Sequence, residues 1–126
     1  MNDDEKIALA RRMLTAWDEL RWDDVAAMFA EDGVLHSVMK EPVVGRSTID
    51  QHLQPFRENA ANVDLQVKSI GVIDGRVFIE RVDVFDYAEH HGEVPVVGIL
   101  SMEDGLITEW LEYYDRATLL AGMGAS

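Results

Sequence analysis

The run Ile79-Glu80-Arg81-Val82-Asp83-Val84-Phe85 sets a guanidinium and a carboxylate two residues apart in a segment rich in β-branched and aromatic residues. Side chains alternate along an extended strand, so Arg81 and Asp83 share one face with Val77, Ile79 and Phe85, while Glu80 and Asp86 share the other with Phe78, Val82 and Val84. Both faces mix charge with apolar groups, which leaves two readings open. One is a solvated ion pair on a strand surface, worth at most about 1 kcal/mol. The other is an Arg and an acid lining a mostly apolar cavity, where burial raises a carboxyl pKa and a neighbouring cation lowers it. Near the C-terminus, Trp110, Glu112 and Tyr114 again share one face of a strand-like run, with Leu111, Tyr113 and Asp115 on the other. A carboxylate between two large rings suits a pocket wall, and the rings equally suit a core.

Other chemistries have less support. The four histidines, His36, His52, His90 and His91, lack the spacing of a metal-ligand set, so no metal site is expected. With no cysteine there is no thiol nucleophile, disulfide, zinc knuckle or iron–sulfur cluster. Ser101 lies in no Gly-x-Ser-x-Gly elbow and has no obvious His nearby, and the glycines form no phosphate-binding loop. Eleven Lys and Arg against 24 Asp and Glu give a net charge of −13, a field that repels nucleic acid and anionic lipid. The start, Met1-Asn2-Asp3-Asp4-Glu5-Lys6, is acidic where a secretory leader is basic, and no apolar run approaches the roughly 18 residues of a membrane span. These features predict a cytoplasmic protein that binds neither nucleic acid nor membrane.

The elements that must position the candidate residues follow from periodicity. A length of 126 residues suits one domain over residues 1–126. Asp3 or Asp4 is the expected cap of a first helix carrying Ile7, Ala10, Met13, Leu14 and Trp17, and Trp22, Val25, Met28 and Phe29 repeat the helical spacing in a shorter second one. A strand over 33–39 follows, then a third helix capped by Ser47, bearing Ile49, Leu53 and Phe56 and kinked or shortened by Pro55. Four strands are predicted at 63–73, 76–87, 93–103 and 106–114, joined by turns at Asp74-Gly75, His90-His91-Gly92 and Asp104-Gly105. Helices first and hairpins after imply an α+β fold, with a long antiparallel sheet curling over the helices. The tail over 121–126 is expected to fray.

On these residues the chain resembles the limonene-1,2-epoxide hydrolase family. The likeness rests on Glu80-Arg81-Val82-Asp83-Val84 and on the run from Asp104 to Asp115 that contains Trp110 and Glu112, and it extends upstream through Phe29-Ala30-Glu31-Asp32 and Gly45-Arg46. The resemblance implies the cone-shaped fold shared by nuclear transport factor 2 and ketosteroid isomerase. It further implies an Arg-x-Asp pair at Arg81 and Asp83, with the second acid at Glu112, one methylene longer than the family's Asp. The family's water-holding Tyr and Asn fall on Leu35 and Ser37, which are departures, and His36, Tyr114 or another polar side chain is left to compensate. So placed, Asp83 is the proton donor, Glu112 the base and Arg81 the bridge in a cofactor-independent opening of a small hydrophobic epoxide, within a pocket lined by Leu35, Ser37, Trp110 and Tyr114. The alternatives are an isomerase, cyclase or dehydratase acting on an apolar ligand, or a non-catalytic binding module. Phe78, Val82 and Val84 on the opposite face predict a homodimer.

Overall fold

The computed structural model describes residues 1–125. Helix α1 (Asp3–Asp18) carries Leu9, Ala10, Met13, Leu14 and Ala16 as its buried stripe. Its cap is Asn2 rather than Asp3 or Asp4. The Asn2 Oδ1 accepts from Glu5 N at 2.8 Å and Glu5 Oε1 accepts from Asn2 N at 2.9 Å. That reciprocal box satisfies two backbone donors and leaves both aspartates in the first turn, where negative charge suits the helix dipole. Helix α2 (Trp22–Ala27) stops before Phe29, which instead opens strand β1 (Phe29–Ser37). The strand therefore begins four residues before the expected Gly33 and ends at Ser37 rather than Met39, followed by a two-residue strand β2 (Val43–Val44).

Pro55 acts as anticipated by ending one helix and starting another. Helix α3 (Arg46–His52) gives way at Leu53 to α4 (Gln54–Asn59), in whose first turn Pro55 sits. The α3 cap is Gly45, at φ 97°, and Ser47 lies inside the helix, so the expected Ser47 cap is corrected. Gly45 N–H donates to Gly33 O at 2.7 Å and the Arg46 Nε donates to Phe29 O at 2.8 Å, which fasten the start of α3 to β1.

The remaining strands are β3 (Ala60–Ile73), β4 (Arg76–Tyr87), β5 (His90–Glu103) and β6 (Leu106–Tyr114), in one six-stranded sheet ordered β2-β1-β6-β5-β4-β3. All neighbours are antiparallel except β1 and β6, which run parallel. Asp74-Gly75 and Asp104-Gly105 turn with positive φ, as a tight hairpin requires. The turn between β4 and β5 falls at Ala88-Glu89, both at positive φ, and Tyr87 pairs with His90. His90, His91 and Gly92 are therefore strand residues, not a turn. Register shifts interrupt the β3/β4, β5/β6 and β1/β6 ladders, and such bulges bend long strands so that the sheet can curl.

The hydrophobic core lies between α1–α3 and the concave face of the sheet. Val77, Ile79, Leu100 and Ile107 from the strands meet Met13, Val25 and Ile49 from the helices, all fully buried. A last helix, α5 (Arg116–Gly122), packs on β5 and includes Ala121 and Gly122, which were expected to fray; Ser126 lies outside the described residues. Among the described residues no helix is long and apolar enough to cross a membrane.

The capping geometry separates neighbouring side chains by their effect on stability. Asn2→Ala should cost about 1 kcal/mol, whereas Asp3→Ala should stay within about 0.5 kcal/mol. Chemical denaturation of the two variants measures the difference, and equal losses would refute the assignment of the cap.

Candidate functional site

Alternation along β4 turns Arg81 and Asp83 to the concave side with the fully buried Val77 and Ile79. Arg81 itself is 3% exposed. The β5/β6 register sets Glu112 opposite Gly98 and Tyr114 opposite Val96, and the parallel β1/β6 register sets Leu35 beside Trp110 and Ser37 beside Glu112. Arg81 pairs with Val96, one row away from Glu112, so its guanidinium has to cross β5 diagonally. It crosses at Gly98. A Cβ there would stand 2.7 Å from Arg81 Nη1 and 2.6 Å from Glu112 Oε2, closer than real Cβ atoms come to their neighbours. Glycine at this position is what lets the ion pair form.

The guanidinium holds both acids by a fork on each side. Arg81 Nε donates to Asp83 Oδ1 at 2.7 Å and Nη2 to Asp83 Oδ2 at 3.1 Å. Nη1 donates to Glu112 Oε2 at 3.0 Å, and Nη2 also donates to Glu112 Oε1. Trp110 lies beside the cation, with the Arg81 Cζ 5.7 Å from its ring centroid. Burial opposes the charge on Arg81, but Glu112 and Asp83 outweigh it and hold the guanidinium pKa above its ordinary value. For Asp83, burial raises the carboxyl pKa against the lowering pull of Arg81, and burial wins. Glu112 is raised as well, first by burial, with Arg81 pulling it down and Asp83 pushing it up.

The trio faces a cavity of about 340 Å³, within the range of small-molecule sites. Leu35, Ser37, Trp110 and Tyr114 line it together with the trio, so the structure gathers all seven sequence-predicted positions around one space. The Ser37 hydroxyl and the Tyr114 phenol are hydrogen-bonded at 2.8 Å. His36 and Asp115, by contrast, do not line the cavity. His36 Nε2 bonds the Lys40 carbonyl at 2.9 Å, and Asp115 Oδ2 accepts from Thr118 N at 3.1 Å as the cap of α5. His36 therefore cannot stand in for the missing hydroxyl of Leu35.

Several lining residues were not singled out from sequence. Trp17 and Phe56 come from helices and make an aromatic wall, their ring centroids 5.5 Å apart and Trp17 6.0 Å from Trp110. His52 also lines the cavity, its pKa lowered by burial and then by Lys40. Arg116, Leu119 and Leu120 enter from α5, and Met123 from just beyond its end. The helical period marks Trp17 and Phe56 as inward-facing, but only the packing distinguishes a cavity wall from a filled core. Among the described residues no group of three His, Cys, Asp or Glu is arranged to hold a metal ion.

The fold has many solved counterparts. An LEH-like epoxide hydrolase from M. tuberculosis aligns over 96% of this chain and 90% of that one, at 23% identity and a TM-score of 0.84. A putative polyketide cyclase from Xanthomonas campestris pv. campestris aligns over 98% and 99%, at 20% identity and a TM-score of 0.84. A hypothetical protein with a ketosteroid isomerase-like fold from Catenulispora acidiphila aligns over 94% and 93%, at 21% identity and a TM-score of 0.80. At these identities the likeness establishes the shared fold, the one expected from the sequence, and leaves the reaction undetermined. The SnoaL-like domain profile matches residues 10–110, and the chain accordingly belongs to the SnoaL-like domain family.

Proposed function

We propose that the protein hydrolyses a small hydrophobic epoxide to a vicinal diol, using its own side chains and no cofactor or metal ion. The observation that carries this reading is the charge count around Arg81: one buried cation is bonded to two half-buried carboxyls, whose pKa values are both raised by desolvation. With both acids ionised the trio would hold an uncompensated negative charge in an apolar cavity, so a proton shared by the pair is favoured. Opening an epoxide needs that combination, an acid for the ring oxygen and a base for the attacking water at the same moment.

Glu112 is the base in this scheme. Its carboxylate takes a proton from water while the water oxygen bonds to an epoxide carbon. The bond from that carbon to the ring oxygen breaks, and the oxygen receives the proton of Asp83. The product is the diol, with the proton now on Glu112 and the charge on Asp83; Arg81 bridges both states, and one proton transfer restores the start. Ser37 supports the water from β1, beside Glu112, and its bond to Tyr114 brings in from β6 a phenol that Leu35 does not provide. The likeness to an LEH-like epoxide hydrolase adds weight to this reading. Proton transfer on an apolar ligand, as in an isomerase or cyclase, is the second reading. It is favoured by His52, an additional proton acceptor on the same cavity wall.

The outer face of the sheet supports a further part of the proposal, a homodimer. Val97 and Tyr113 pair directly across β5 and β6 and are 39% and 45% exposed; on β4 the exposed Glu80 pairs with Val97, and the half-buried Phe78 and Val82 flank it on the same face. Apolar surface of this kind is suited to a second copy.

The decisive assay incubates the purified protein with a panel of small apolar epoxides in 18O-labelled water and reads the diol by mass spectrometry. One labelled oxygen per diol is expected; inertness toward the whole panel would overturn the hydrolase reading. Asp83→Asn and Glu112→Gln should each fold and lose about 100-fold or more in rate. Gly98→Ala should also lose activity, because it crowds Arg81 away from Glu112 while leaving both acids in place.

Rate against pH should be bell-shaped, falling toward acid as Glu112 gains a proton and toward alkali as Asp83 loses one, with both limbs above the ordinary carboxyl range of about 4. The same raised pKa values mean that the folded chain retains protons the unfolded chain releases. Stability should thus decline as pH rises from the ordinary range through the raised values, and Glu112→Gln should flatten that decline in melting curves.

Sedimentation at micromolar concentration should show a dimer, and Val97→Glu with Tyr113→Glu should shift it to monomer. A wild-type monomer would remove the dimer from the proposal.

A further inference from the structure

We propose that α5 is the specificity-determining wall of the cavity, limiting how far an apolar substrate can extend from the Arg81 trio. The inference rests on the cavity being a site for a small apolar molecule, and it is independent of the reaction carried out there.

Helix α5 has seven residues, too few to persist without tertiary support. Its start is fixed by Asp115, which accepts from both the backbone N–H and the hydroxyl of Thr118. Its end is fixed by an approach of backbone to backbone. A Cβ built on Gly92 of β5 would lie 2.6 Å from Gly122 Cα and 2.6 Å from Phe85 Cζ, and one built on Gly122 would lie 2.8 Å from Gly92 Cα. Any side chain at either position forces the helix off the strand, and the Phe85 ring fills the space beside the contact.

That contact fixes where α5 meets the cavity. Phe85 is registered with Gly92 and stands four residues beyond Arg81 on β4, on the same face. At about 3.3 Å per residue the helix docks roughly 13 Å along the strand from Arg81. From this position Leu119, Leu120 and Met123 line the cavity, and all three are half-buried; no residue of α5 itself is fully buried. Their inward side chains face the cavity without being packed into the core. These three side chains offer no polar group, so the portion of a ligand that packs on them is apolar, while Arg116 at the start of the same helix also lines the cavity. The favoured ligand carries its reactive polar group at the trio and an apolar portion running along β4 toward α5.

Straight-chain primary alcohols from butanol to dodecanol test this without any turnover. Trp17 and Trp110 line the cavity, so tryptophan emission reports occupancy. Affinity should rise by about fourfold per methylene until the chain meets α5, and then level off or fall. Leu119→Ala combined with Met123→Ala should move that break to longer alcohols, Leu119→Trp should move it to shorter ones, and Gly122→Leu should abolish it by displacing the helix. Circular dichroism verifies that the variants fold. A break at the same length in all the folded variants, or no break in the wild type, would overturn the role of α5. If no alcohol bound at all, the reading of the cavity would fail and this inference with it. An enzyme inert toward epoxides but showing the shifting break would retain the wall and lose only the hydrolase reading.

Discussion

A guanidinium 3% exposed beneath the concave face of a sheet is the constraint from which most of the site follows. Removing such a charge from water is expensive unless its donors are matched, and Arg81 commits four donor contacts to Asp83 and Glu112. Those two acids are on different strands with β5 between them. The pairing therefore depends on the alignment of β4, β5 and β6, and on a residue without a side chain where the guanidinium crosses. A slip of one residue in either register would turn Arg81 or Glu112 to the outer face and leave a partner uncompensated. The chemistry and the stability of the sheet are thus bound to the same alignment.

The cation is neutralised, yet the acids remain perturbed. Two carboxyls compete for one cation in a space walled by Trp17, Phe56 and Trp110, and burial outweighs the attraction at both. This is the opposite of a surface salt bridge, where solvent screens the pair and carboxyl pKa values fall. It explains why an arrangement that resembles a structural ion pair on paper is well suited to hold a proton on one oxygen and release one from another.

The aromatic wall belongs to the helices, and this links the core to the cavity. Trp17 meets Trp22 edge-on with centroids 4.8 Å apart and meets Trp110 at 6.0 Å, while Trp22 stacks on Phe56 at 5.6 Å. The cluster anchors α1 and α4 to β6 without filling the space above the trio. On the far side α5 does the corresponding work from outside the core, held by a glycine contact and a capped first turn.

Local pattern was enough for the features that depend on near neighbours in the chain. Period-two alternation put Arg81 and Asp83 on one face with Val77, Ile79 and Phe85, and Asp-Gly pairs marked two of the three long hairpins, because strand geometry and positive φ are properties of a few consecutive residues. Pro55 marked the break between α3 and α4 for the same reason. What distant segments do to each other was decided only on folding. The parallel pairing of β1 with β6 brings Ser37 to Glu112 across 75 residues of chain, and no local signal encodes it. Gly92 looks like a turn residue in isolation and instead serves a backbone contact with Gly122, so the turn moves to Ala88-Glu89. Gly98 carries no motif at all, and its importance arises solely because a side chain from one neighbouring strand must pass over it to reach the other.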